Sequence, residues 1–132
     1  MGQQQLLLIV LGVIIVGIAV VVGINVFTAQ NTNSNRDAVT ADLTNLASMA
    51  QQFYKKPEAL GGGGNSFTGG TGFAIPENMK KNANGSYTAT VAAAQVTIVG
   101  RGTSTVTAGG TDTVQVTMIV GPDKIISTTI DK

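Results

Sequence analysis

The chain changes its hydrophobic rhythm three times. MGQQQ runs straight into LLLIVLGVIIVGIAVVVGINVF, residues 6–24 contain no charged side chain, and the first charge of any kind is Arg36. At about 1.5 Å per residue this stretch makes roughly 28 Å of helix, close to the ~30 Å hydrocarbon core of a bilayer. Residues 1–27 are therefore expected to form an apolar N-terminal helix able to span a membrane. The polar TAQNTNSN follows, and then RDAVTADLTNLASMAQQFYKKP restores a helical pattern. Val39, Leu43, Leu46, Ala50 and Phe53 recur at helical spacing and make a narrow apolar stripe. Residues 28–56 read as an amphipathic helix with Asp37 and Asp42 near its start and Lys55 and Lys56 near its end. That placement suits the helix dipole, and Pro57 disfavours continuation. Asn and Ser are poor helix formers but do not forbid helix, so the pattern leaves a break over residues 28–35 open. Unbroken, the helix would reach about 80 Å.

Residues 57–85 contain ALGGGGNSFTGGTGF, uncharged and glycine-rich, which reads as a flexible surface loop pinned by Phe67 and Phe73. It lacks the Gly-Lys-Ser/Thr ending of a phosphate-binding loop. Residues 75–81 suit a short helical turn, and Asn84-Gly85 is a turn signal. From Ser86 the period becomes two. SYTATVA, QVTIVG, TVQVTMIV and IISTTI predict about four strands over residues 86–132, with turns at Ala108-Gly109-Gly110-Thr111 and Gly121-Pro122-Asp123-Lys124. Tyr87, Val114, Val116, Met118 and Val120 fall on one face, with Thr, Ser and Gln dominating the other. An antiparallel meander with one apolar face needs a cover, and the Val39–Phe53 stripe is the available one. Arg101, between Gly100 and Gly102, reads as a bulge or kink. The expected fold class is α+β: a long N-terminal helix, apolar then amphipathic, packed on a small antiparallel sheet.

Composition narrows function by exclusion. The 132 residues carry eight Lys and Arg against seven Asp and Glu, a net charge of +1 without a basic cluster, so no nucleic-acid partner is indicated. There is no Cys and no His. Thiol chemistry, disulfides and the usual metal ligands are therefore unavailable. The carboxylates are scattered, with Glu58 and Glu77 the sole glutamates, so neither a catalytic centre nor a metal or cofactor site is expected.

The apolar helix offers contact chemistry instead. Gly12, Ala19 and Gly23 are seven and four apart and fall on one helix face. Such a seam lets helix backbones approach closely, although glycine is also common in membrane helices generally. Gln3, Gln4 and Gln5 either hydrogen-bond between helices or cap the membrane interface. Asn84-Gly85-Ser86 matches an N-glycosylation sequon, with a plain Asn-Gly turn as the alternative. No Lys or Arg precedes the apolar run, whereas a nascent membrane segment carries them on its cytoplasmic side. A removed basic leader before Met1 is the corresponding expectation.

Taken together, the apolar helix beginning almost at residue one, its amphipathic continuation and the small C-terminal sheet resemble a type IV pilin or pilin-like filament subunit. The resemblance implies a leader peptidase that exposes Met1, methylation of Met1, and an assembly machine that moves the subunit from the cytoplasmic membrane into a cell-surface filament. Bacterial members usually begin with Phe, and many carry Glu where this chain has Gln5. A glutamine accepts a hydrogen bond but supplies no counter-charge for a neighbouring N-terminal amine. The expected function is that of a structural, non-enzymatic subunit polymerising with copies of itself through Gln3, Gln4, Gln5, Gly12, Ala19 and Gly23. A single-pass anchored β-domain that binds a partner, and a pilin-like part of a secretion or uptake apparatus, are the alternatives.

Overall fold

The computed structural model describes residues 2–106 and 111–131. Met1 and most of the Ala108-Gly109-Gly110-Thr111 turn lie outside that set. Helix α1 runs unbroken over Gly2–Lys55, 54 residues. Through the polar stretch, Thr28 Oγ1 donates to Ile24 O at 3.0 Å and Thr32 Oγ1 to Thr28 O at 3.0 Å. These hydroxyls bond to the helix's own carbonyls, and Thr32 and Asn35 are buried against the sheet. Tertiary contact thus overrides a weak local propensity. The continuity also removes the dipole reading of Asp37 and Asp42, which sit deep inside α1 rather than near its start.

After α1 come a 3-10 turn at Glu58–Leu60, the short α2 (Glu77–Lys80), and strands β1 (Lys81–Asn82), β2 (Gly85–Val91), β3 (Val96–Thr105), β4 (Thr113–Val120) and β5 (Ile125–Ile130). They form one antiparallel sheet in the order β1-β2-β3-β4-β5. The meander has five strands, not about four. The addition, β1, is too short to show a period in sequence; Lys81 pairs with Ser86 and Asn82 with Gly85. Asn82 Oδ1 accepts from Asn84 N at 2.8 Å and Gly85 N at 3.2 Å, closing the turn through a side chain. β3 is also longer than expected, running through Gly100-Arg101-Gly102, and its register with β4 shifts between Arg101 and Thr105.

The amphipathic half of α1 lies across β3 and β4. Val39, Leu43, Leu46, Ala47 and Ala50 meet Tyr87, Val96, Ile98, Val114, Val116, Met118 and Val120 in the buried core. Alternating strand positions supply every one of these sheet residues, as a pleated sheet covered on one side requires. Glycine at 100 permits the close approach: a Cβ there would stand 2.7 Å from Val39 Cγ1 and 3.0 Å from Tyr87 Cε1. Strand β5 is not covered in the same way. Ile126 and Ile130 remain 50% and 58% exposed beside the core.

The glycine-rich segment is a packed cap on the end of α1. Gly63 N donates to Phe53 O at 2.7 Å, Asn65 N to Tyr54 O at 2.8 Å and Gly64 N to Lys56 O at 2.9 Å. These loop amides satisfy carbonyls that a helix end leaves without partners. Phe67 is fully buried, and the Tyr54 and Phe67 rings stand 4.9 Å apart. The flexible character expected from composition is therefore replaced by dense local bonding, and both Phe67 and Phe73 pin the loop to the core.

Candidate functional site: the exposed half of the long helix

Among the described residues, the N-terminal half of α1, residues 2–27, is exposed throughout. Its side chains stand out in full, from Leu6 at 62% to Phe27 at 66% exposure. Its mean hydropathy reaches 3.3, and it is long and apolar enough to cross a membrane. A contiguous apolar surface of this extent is far beyond what a soluble monomer exposes, so it requires lipid or protein around it.

Because α1 is continuous, the rotational position of each residue on the exposed half is tied to the sheet. At about 100° per residue, Gly12, Ala19 and Gly23 lie within about 40° of one another. Val39 lies about 180° from Gly12, and Leu43, Leu46 and Ala50 cluster around the same direction. The small-residue seam consequently points away from the β-domain. Gln5 falls on the seam line, whereas Gln3 lies on the domain side and Gln4 between the two. The three glutamines, all exposed, therefore do not share a face. A Cβ added at Gly12 or Gly23 meets nothing within 4 Å inside the subunit, so neither glycine is required by the fold of the single chain. Met1 lies outside the described residues.

The seam direction is locked by a polar clasp between α1 and the sheet. Asp42 Oδ2 accepts from Tyr87 Oη at 2.5 Å, Asn82 Nδ2 at 3.0 Å and Asn84 Nδ2 at 3.0 Å. Burial raises the Asp42 pKa, but the bonds from Tyr87, Asn84 and Asn82 outweigh it and hold the carboxyl below its ordinary value. Tyr87 moves the other way, raised by burial first and then by its bond to the Asp42 carboxylate and that group's charge. Two turns earlier on the helix, Asn35 Nδ2 donates to Asn84 O at 2.8 Å, and Asn35 Oδ1 accepts from Ser104 N at 3.1 Å. Thr32 Oγ1 shares its single proton between Thr28 O at 3.0 Å and Thr105 O at 2.9 Å. Sequence pattern alone does not single out these residues for this role; the available signal is that Thr32, Asn35 and Asp42 border the apolar stripe.

Asn84 is part of the clasp. Its Nδ2, the atom that would carry an N-linked sugar, is bonded to Asp42, and its carbonyl to Asn35. The turn of the Asn-Gly pair is thereby built into helix docking, remote from the seam.

Compared with known protein families, curated protein sequences and solved structures, the chain matches none. The architecture itself, a long N-terminal apolar helix packed through its second half on an antiparallel sheet, is pilin-like.

Proposed function

We propose that this chain is a structural subunit that polymerises with copies of itself into a type IV pilus-like, cell-surface filament. Before assembly the subunit is held in the cytoplasmic membrane by residues 6–27. On assembly that segment exchanges lipid for neighbouring helices, and the β-domain faces solvent. The observation that carries this reading is the unbroken α1: at the ideal helical repeat of about 100° per residue, its Gln5–Gly12–Ala19–Gly23 line falls opposite the Val39–Leu46 face that holds the sheet. Helices bundled through that line would turn every β-domain toward the outside. Because lipid is already apolar, burial of the segment supplies little selectivity; close backbone packing and the Gln5 amide supply it. The family resemblance adds the leader peptidase, methylation of Met1 and the assembly machine as partners.

The chain has no cysteine, so single cysteines report helix contacts cleanly. Subunits of a filament meet head-to-tail, so a residue need not face itself, and a chain with Ala19→Cys is therefore co-expressed under mild oxidation with a second copy carrying one cysteine at each of residues 5–27 in turn. Disulfide-linked heterodimers are expected at a few partner positions from Ala19→Cys, and at fewer from Val21→Cys, about 160° around the helix from it. Absence of heterodimers at every partner position of Ala19→Cys would contradict self-association through the seam and favour a solitary anchored domain.

A further inference from the structure

The sheet face turned away from α1 is not chemically uniform. Lys81 pairs with Ser86, Ser86 with Arg101, and Arg101 with Gln115, so these residues make one cross-strand row over β1 to β4. Their strand neighbours Gly100, Gly102, Val114 and Val116 face the helix, which turns the row to the opposite, solvent side. The β3–β4 register shifts immediately after Arg101. A hollow of about 390 Å³ lies there, lined by Ser86, Thr88, Val99, Arg101 and Gln115. That volume falls within the range of small-molecule sites.

Lys55 pairs with Asp123 and Lys80 with Glu77, while Lys81 and Arg101, the two cations of the row, take part in neither pair. The one carboxylate at the end of the row, Asp131, is occupied by Thr117 Oγ1 at 2.6 Å and Gln115 Nε2 at 3.3 Å. With strands about 4.8 Å apart, Lys81 and Arg101 stand roughly 10 Å from one another with Ser86 between them. Hydroxyls from Ser86 and Thr88 and the apolar edge of Val99 complete the surface, and no aromatic ring lines it.

We propose that this row is a binding site for an acidic glycan, a chain of carboxylated sugars. The Arg101 guanidinium holds one carboxylate through paired hydrogen bonds, Lys81 holds a second as a point charge, and the hydroxyl-bearing side chains between them meet sugar hydroxyls. A single-stranded nucleic acid would need aromatic platforms that this face lacks. The site lies on the sheet face opposite the helix, so it is open to solvent in the single chain.

The test uses the full chain in micelles of an uncharged detergent, titrated with a mannuronate hexasaccharide while backbone amide shifts are followed. Saturable shifts centred on Ser86, Arg101 and Gln115 are expected, with about tenfold weaker binding for each of Arg101→Gln and Lys81→Gln. Both side chains are exposed, so the variants are expected to melt with the parent. A neutral mannohexaose is expected not to bind. Unchanged affinity in the double variant, or equal binding of the neutral sugar, would overturn the site. Equal or tighter binding of polyphosphate would overturn its assignment to glycans.

Discussion

Tyr87 and Asp42 join the sheet to the helix through a 2.5 Å hydrogen bond from the phenol to the carboxylate. The carboxyl is held below its ordinary pKa and the phenol above its own. A carboxyl whose folded pKa lies under the unfolded value of about 3.9 stabilises the fold fully above that value. The contribution is lost as pH falls through the folded value. A phenol raised above about 10 contributes fully below that pH and loses its contribution as pH rises. Tyr87→Phe is therefore expected to cost about 1.5 kcal/mol near neutrality, the usual scale for a hydrogen bond to a charged group. Thermal melts between pH 2 and 11 should show shallower losses at both ends in Tyr87→Phe than in the parent. Parallel curves would show that the pair does not couple docking to protonation.

Gly102 sits under the Asn35 clasp. A Cβ there would overlap Asn35 Oδ1 and stand 3.0 Å from Val114 Cβ. Gly102→Ala is expected to push α1 away from β3 and destabilise the β-domain by about 1–3 kcal/mol, the usual scale of overpacking. Membrane insertion should be unaffected, because residues 6–24 are untouched. Urea unfolding combined with membrane fractionation separates the two effects; an unchanged midpoint would contradict the tight helix–sheet contact.

Leu43 is fully buried between the helix and the sheet. Leu43→Ala should cost about 2–5 kcal/mol through lost burial and the cavity left behind. Thr44→Ala, at an exposed position one residue later, is expected to change stability by less than about 0.5 kcal/mol. Denaturant midpoints for the two variants check which face of α1 meets the sheet.

Ala19→Leu and Gly23→Leu place a large side chain on the seam, where it would separate neighbouring helices at about 1–3 kcal/mol per contact. Leucine is favourable in hydrocarbon, so membrane levels should be normal. Filaments are expected to be few or short in these variants, while Val20→Leu, about 100° around from Ala19, is tolerated better. Filament counts by electron microscopy and membrane immunoblots read the two outcomes independently.

The elements with strong periodicity are legible in the amino-acid sequence. The Val39–Phe53 stripe and the alternation in TVQVTMIV identify the facing surfaces of the core, because burial on one side leaves a direct imprint at spacings of three to four and of two. Other features depend on groups far apart along the chain. Continuity of α1 through TAQNTNSN rests on Thr32 and Asn35 bonding to Thr105, Asn84 and Ser104, which no local pattern reports. Strand β1 is set by Asn82 closing its own turn. The seam residues Gly12, Ala19 and Gly23 are readable from spacing, but their direction relative to the β-domain follows only from the unbroken helix. Asp42 has a plausible local reading as a dipole partner, and the long-range Tyr87 contact replaces it.

Assembly through α1 is tested most directly by cryo-electron microscopy of material sheared from cells expressing the chain, with mass spectrometry of the same sample. The account predicts helical filaments in which this chain predominates, with α1 helices bundled at the axis, Gly12, Ala19 and Gly23 facing neighbouring helices, and β-domains outside. Recovery of the chain only as a membrane-bound monomer, or filaments whose contacts run through the β-domains with α1 outside the bundle, would contradict it.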